Sequence, residues 1–143
     1  MSCIRFSTDA MREQLRSVPA ELREAKVVTG AAAPPVTESK IRRLRLLAGD
    51  PDPRIRASAA SSHHAPADLL LQLARDAEVG VRTWVARNQA APADVLRVLA
   101  GDTDETVRGW VALNESTPSE VVTALGEDPS TTVRSIVAWR ASV

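Results

Sequence analysis

Two charged columns are the first residues in this 143-residue chain whose types and spacing suggest chemistry. Asp50, Asp76, Asp102 and Asp128 stand 26 residues apart, and so do Arg56, Arg82, Arg108 and Arg134. A row of guanidinium groups can follow a phosphate backbone, or it can bond carboxylates through its planar fork of donors. Phosphate tracking needs a surplus of cations, and the chain has 18 Lys+Arg against 18 Asp+Glu. From residue 41 onward, 12 Arg meet 13 Asp/Glu. The columns therefore read as a structural ladder, in which each arginine bonds the aspartate of its own or a neighbouring unit.

Other reactive side chains form no constellation. His63-His64 is the only histidine pair and has neither a cysteine nor a placed third ligand beside it, so it reads as a solvated loop. Cys3 stands alone, which excludes an internal disulfide framework and fits a reducing compartment. No Ser-His-Asp, Cys-His or Gly-rich phosphate-loop pattern is visible. Asp102 and Asp104 read as turn and capping residues rather than as an acid–base pair. We expect no catalytic residue, no metal and no cofactor.

The elements that position these residues follow from the same period. Pro66, Pro92 and Pro118 keep the 26-residue step, as do Leu47, Leu73, Leu99 and Leu125. Proline suits the first helical position, and Asp68, Asp94 and Glu120 would then meet the positive end of the helix dipole. Thr117 and Glu120 have the spacing of a capping box. Leu69, Leu70 and Leu73 share one helical face, repeated as Val95, Leu96, Leu99 and as Val121, Val122, Leu125. The boundary aspartate then begins a second short helix, on which Val81, Val85 and Asn88 share a face, as do Val107, Val111 and Asn114. Asn88 and Asn114 read as buried capping groups. Ser62 and Arg140 take their place in the outer units, where that column frays. Neither helix can bury its face alone, so neighbouring units must stack.

The pattern Asp-x-x-x-x-Val-Arg-x-x-Val-Ala-x-Asn, followed by Thr/Ala-Pro-x-Asp/Glu-Val-Leu/Val-x-x-Leu, resembles the leucine-rich repeat variant family and, more distantly, HEAT repeats. The likeness covers roughly residues 41–143. It implies an all-α fold, a short right-handed α-solenoid of 26-residue two-helix repeats, and it does not imply catalysis. Some members of the variant family carry an amino-terminal iron–sulfur module held by a cysteine cluster, which Cys3 alone cannot supply.

Residues 1–29 read as an N-terminal helical cap or degenerate first unit, or else as a helix that docks a partner. A helix over 7–28 would carry Met11, Leu15 and Val18. Residues 30–40 read as a Pro/Ala-rich linker, and 41–143 as the repeat domain, its first helix running from Ile41 to Ala48. No apolar run is long enough to span a membrane, and Met1 to Phe6 lack the apolar core of a secretory signal, so a cytoplasmic location is expected.

Tryptophan supplies the remaining candidate surface. Trp84 and Trp110 align with Ile136, while Trp139 aligns with Arg87 and Leu113. Stacking would join Trp84, Arg87, Trp110, Leu113, Ile136 and Trp139 into a stripe beside the core face of the second helices. Two readings stand: Trp84 and Trp110 fill the core, or the stripe is partly exposed and holds a partner. The chain also ends with no further first-type helix over Val133 and Val137. The expected function is a non-catalytic scaffold that binds a protein through the concave face or through this uncapped end, the alternatives being a nucleic-acid-binding HEAT-like module or a self-associating structural protein. Nucleic acid is disfavoured by the charge balance, and no membrane partner is expected.

Overall fold

Short helices follow one another through the whole described part of the chain. The computed structural model describes residues 36–142. The helix expected over 7–28, and any capping role for it, lie outside these residues. The described residues form eight α-helices and no strand: α1 (Glu38–Ala48), α2 (Pro53–Ala60), α3 (Ala67–Leu73), α4 (Val79–Arg87), α5 (Ala93–Ala100), α6 (Glu105–Leu113), α7 (Ser119–Leu125) and α8 (Thr131–Arg140).

Helices this short are not stable alone in water, so packing has to hold them. Odd-numbered helices touch one another in succession, α1 to α3 to α5 to α7. Even-numbered helices do the same from α2 to α8, and each odd helix also packs on the even helix that follows it. The core lies between the two rows. Leu69, Leu70, Leu73, Val95, Leu96 and Leu99 enter it from one side and Val81, Val85, Val107, Val111 and Val133 from the other. Complete burial of such a side chain stabilises by about 1.5–3 kcal/mol. Ala59, Ala86 and Ala112 are fully buried on the even helices, where small side chains permit close approach.

Several local details differ from the sequence reading. Helix α1 starts at Glu38, not Ile41, because past Pro35 nothing in Val36 to Lys40 opposes helical backbone; the linker reading of 30–40 fails at that end. Pro66, Pro92 and Pro118 each precede the first helical residue, in extended backbone with ψ of 153°, 158° and 144°. Each prolyl carbonyl instead accepts the first intrahelical bond, from Leu70, Leu96 and Val122. Thr117 does not cap α7: its hydroxyl is buried and donates to the Val111 carbonyl at 2.6 Å. Val133, expected to be bare, is fully buried, since α8 packs on both α6 and α7.

The boundary aspartates do not begin the even helices. Each Oδ1 accepts the backbone N–H two residues on, from Asp52, Glu78, Asp104 and Ser130, at 2.8–2.9 Å. This is an Asx turn. The helix starts just beyond it, with Asp52 and Asp104 capping α2 and α6 by accepting from Arg54 and Thr106.

Both oxygens of Asp76, Asp102 and Asp128 also accept from arginines, Oδ2 from Nε and Oδ1 from Nη2. Arg56 grips Asp76 with Nε and Nη2 at 2.7 and 2.8 Å. Arg82 holds Asp102 in the same way at 2.7 and 3.1 Å, and Arg108 holds Asp128 at 2.7 and 2.9 Å. Nη1 of each donates to the carbonyl of the preceding boundary aspartate, Asp50, Asp76 or Asp102. Every pair therefore reaches forward to the next boundary. Arg134 ends the row on backbone, donating to the Asp128 carbonyl at 2.7 Å. At the other end, Asp50 holds its Asx turn.

A second ladder runs through the buried asparagines. Asn88 Nδ2 donates to the carbonyls of Ala60 and Ser62, and Asn114 Nδ2 to those of Ala86 and Asn88. Arg140 does not fray this column: its Nη1 donates to Ala112 and Asn114 carbonyls at 2.6 and 3.0 Å. A guanidinium thus stands in for the amide. Ser62 keeps half the role, accepting from the His64 N–H at 3.3 Å.

Candidate binding face

The even helices bury their valine column and turn the adjacent column outward. Trp84 sits three residues after Val81 and Trp110 three after Val107, so each ring lies at the edge of the core face. Trp84 is 40% exposed and Trp139 60%. Trp110 is half-buried and packs against the core. Filling of the core therefore describes part of Trp110 and little of Trp84 or Trp139.

Arg87 joins the first two rings. Its guanidinium carbon lies 4.4 Å from the centroid of Trp84 and 4.4 Å from that of Trp110. The helix puts Arg87 beside Trp84 at i, i+3, and the next even helix brings Trp110 within the same distance. A cation over two electron-rich faces is favoured by each ring quadrupole.

Further along, α6 and α8 leave a cleft of about 230 Å³ lined by Glu105, Thr106, Gly109, Trp110, Leu113, Thr132 and Ile136. Gly109 makes it narrow at the base: a Cβ there would stand 3.1 Å from Ile136 Cδ1. A wider depression of about 460 Å³ follows, floored by Thr131, Thr132, Ser135, Ile136 and Trp139. At the other end, Arg54, Ala57, Ser58, Ser61 and Trp84 surround a hollow of about 300 Å³. The six stripe residues thus share one face of the even row. Glu105, Gly109 and Thr132 were missed by the sequence reading, although the column Ala57, Thr83, Gly109, Ser135 holds only small residues and so marks a trough.

Asp76, Asp104 and Asp128, in the turns that lead into the even helices, are held toward their anionic forms. Arg56 holds Asp76 below the usual carboxylate range, Arg108 does so for Asp128, and the backbone N–H of Thr106 does so for Asp104. Such groups are poor proton shuttles near neutral pH. Every buried side-chain polar atom among the described residues has a partner. His63 is exposed and His64 half-buried, and no group of three His, Cys, Asp or Glu among the described residues could hold a metal ion. None of the described helices is long and apolar enough to cross a membrane. No family model, curated protein or solved structure matches the chain.

Proposed function

We infer that the chain is a short α-solenoid resembling the leucine-rich repeat variant family, and that it serves as a non-catalytic scaffold holding a protein partner on the even-helix face. The observation that carries this reading is the continuous run of Trp84, Arg87, Trp110, Leu113, Ile136 and Trp139. Exposed aromatic side chains lie there beside apolar hollows. Tryptophan and arginine dominate binding hot spots because they combine large apolar area with directed polar contacts. A ladder that is already saturated supports the stacking of units and leaves this face as the variable surface.

Affinity capture from lysate in the presence of nuclease tests the reading, with wild type compared against a Trp139→Ala/Leu113→Ala variant. A stoichiometric protein held by wild type and lost from the variant is the expected result. Recovery of nuclease-sensitive material alone, in an untreated control, would turn the assignment toward nucleic acid. Recovery of the chain alone would turn it toward self-assembly.

A further inference from the structure

Arg87 specifies the chemistry of the partner, an inference that rests on the reading of this face as protein-binding. Arg56, Arg82, Arg97 and Arg108 direct their donors to carboxylates, and Arg134 and Arg140 direct theirs to backbone carbonyls. Among the described residues, Arg87 makes no side-chain hydrogen bond or ion pair and lies over two indole rings. Both rings lie against its guanidinium, with centroids 4.4 Å from the guanidinium carbon, and its N–H donors can bond a carboxylate in plane through two parallel bonds. Held against the rings, the fork is restrained beforehand, so less side-chain entropy is lost when it is engaged.

The neighbouring cleft sets the second requirement. It is walled by Trp110, Leu113 and Ile136, floored at Gly109, and about 230 Å³ in volume, which suits one large apolar side chain. Arg87 lies between α4 and α6 and the cleft between α6 and α8, so the two are about one helix spacing apart, roughly 8–10 Å. Two turns of a partner helix cover about that distance. Glu105 stands on the lip of the cleft, so an acid of the partner is favoured only at Arg87, and the cleft takes an uncharged apolar side chain.

We propose that the partner presents an acidic, amphipathic segment whose carboxylate pairs edge-on with the Arg87 guanidinium while a large apolar side chain two helical turns away fills the Trp110–Ile136 cleft.

The test uses the full chain, a displayed library of random peptides, and tryptophan emission as the readout. All three tryptophans of the sequence lie on this face, so emission reports on it alone. Selected peptides are expected to pair Asp or Glu with a large apolar residue two helical turns away and to shift the emission. Arg87→Gln, an exposed substitution that leaves the core untouched, should weaken them by about tenfold or more. Arg87→Lys should weaken them less, and Gly109→Val should also reduce binding by filling the cleft. Selected peptides that lack acids and bind Arg87→Gln as well as wild type would overturn the carboxylate contact while leaving a protein-binding face standing. Failure to select any peptide that changes the emission would count against both. So would an emission change produced only by oligothymidylate, or only by raising the concentration of the chain itself.

Discussion

Arg108 ties two repeat boundaries together with one side chain: Nε and Nη2 hold Asp128, and Nη1 reaches the carbonyl of Asp102. Removing it leaves the Asp128 carboxylate, 4% exposed, facing only the Ser130 N–H. Arg108→Ala should therefore cost about 2 kcal/mol, less than for a fully enclosed pair because the guanidinium keeps some solvent. Chemical denaturation measures this, and an unchanged midpoint would remove the ladder from the stability argument. The penalty should depend on pH. Arg108 holds Asp128 below its unfolded value, so the stabilisation is complete above about pH 5 and fades as pH falls through the folded value. Wild type and variant should converge in acid. Asn114 offers the converse case, since its amide donates to two buried carbonyls. Asn114→Ala should cost about 1–3 kcal/mol. Asn114→Asp should cost more at pH 7, because a buried carboxylate facing carbonyl oxygens is driven toward its neutral form. That excess should shrink as pH is lowered, and an excess that grows instead would contradict the described contacts. Both columns were legible because identical residues recur in register. The forward direction of the Arg–Asp pairs was not, since own and neighbouring partners are equally regular in sequence. Arg140 was misread because an amide and a guanidinium look unlike as letters while offering the same donors.

The helices show where propensity and packing disagree. Gly80 lies in the first turn of α4, exposed, with no atom within 4 Å of an added Cβ. Gly80→Ala should raise stability by about 0.5–1 kcal/mol through helix propensity and a less flexible unfolded chain. Gly109→Ala should gain less, because Ile136 Cδ1 stands 3.1 Å from the new carbon and must give way. Thermal melts of the two variants should rank them in that order. Helix positions and their buried faces were readable from apolar spacing, as Leu69, Leu70 and Leu73 illustrate. Starts were less so: proline fits both the first helical residue and the one before it, and Thr117 lies one residue before the cap position, its hydroxyl donating to the Val111 carbonyl instead. The ion pairs Arg45–Asp68 and Arg97–Glu120, both 2.8 Å and exposed, join successive odd helices. Their acids recur with Asp94, but Leu71 and Thr123 stand where Arg45 and Arg97 do in other units, so no paired column announced them, and exposed pairs of this kind contribute little.

Charge balance acts at the level of the whole molecule. With equal numbers of acids and bases and a pI near 6.7, the chain has no long-range attraction for polyanions. It should leave a heparin column below about 0.2 M salt, whereas a surface built to track phosphate would hold well above that. The exposed face was only half legible. Spacing brought Trp84, Trp110, Ile136 and Trp139 together, but the contact of Arg87 with both rings depends on how far apart α4 and α6 sit, which no periodicity states. The forward reach of each arginine has a consequence for how such a chain can change in length. Arg56, Arg82 and Arg108 each answer an aspartate 20 residues ahead and a carbonyl six behind, and both buried amides answer carbonyls 26 and 28 residues back. Duplicating or deleting one block of 26 residues hands each donor a fresh acceptor of the same kind. A gain or loss of any other number strands a charge in the interior, so this architecture grows and shrinks in whole steps.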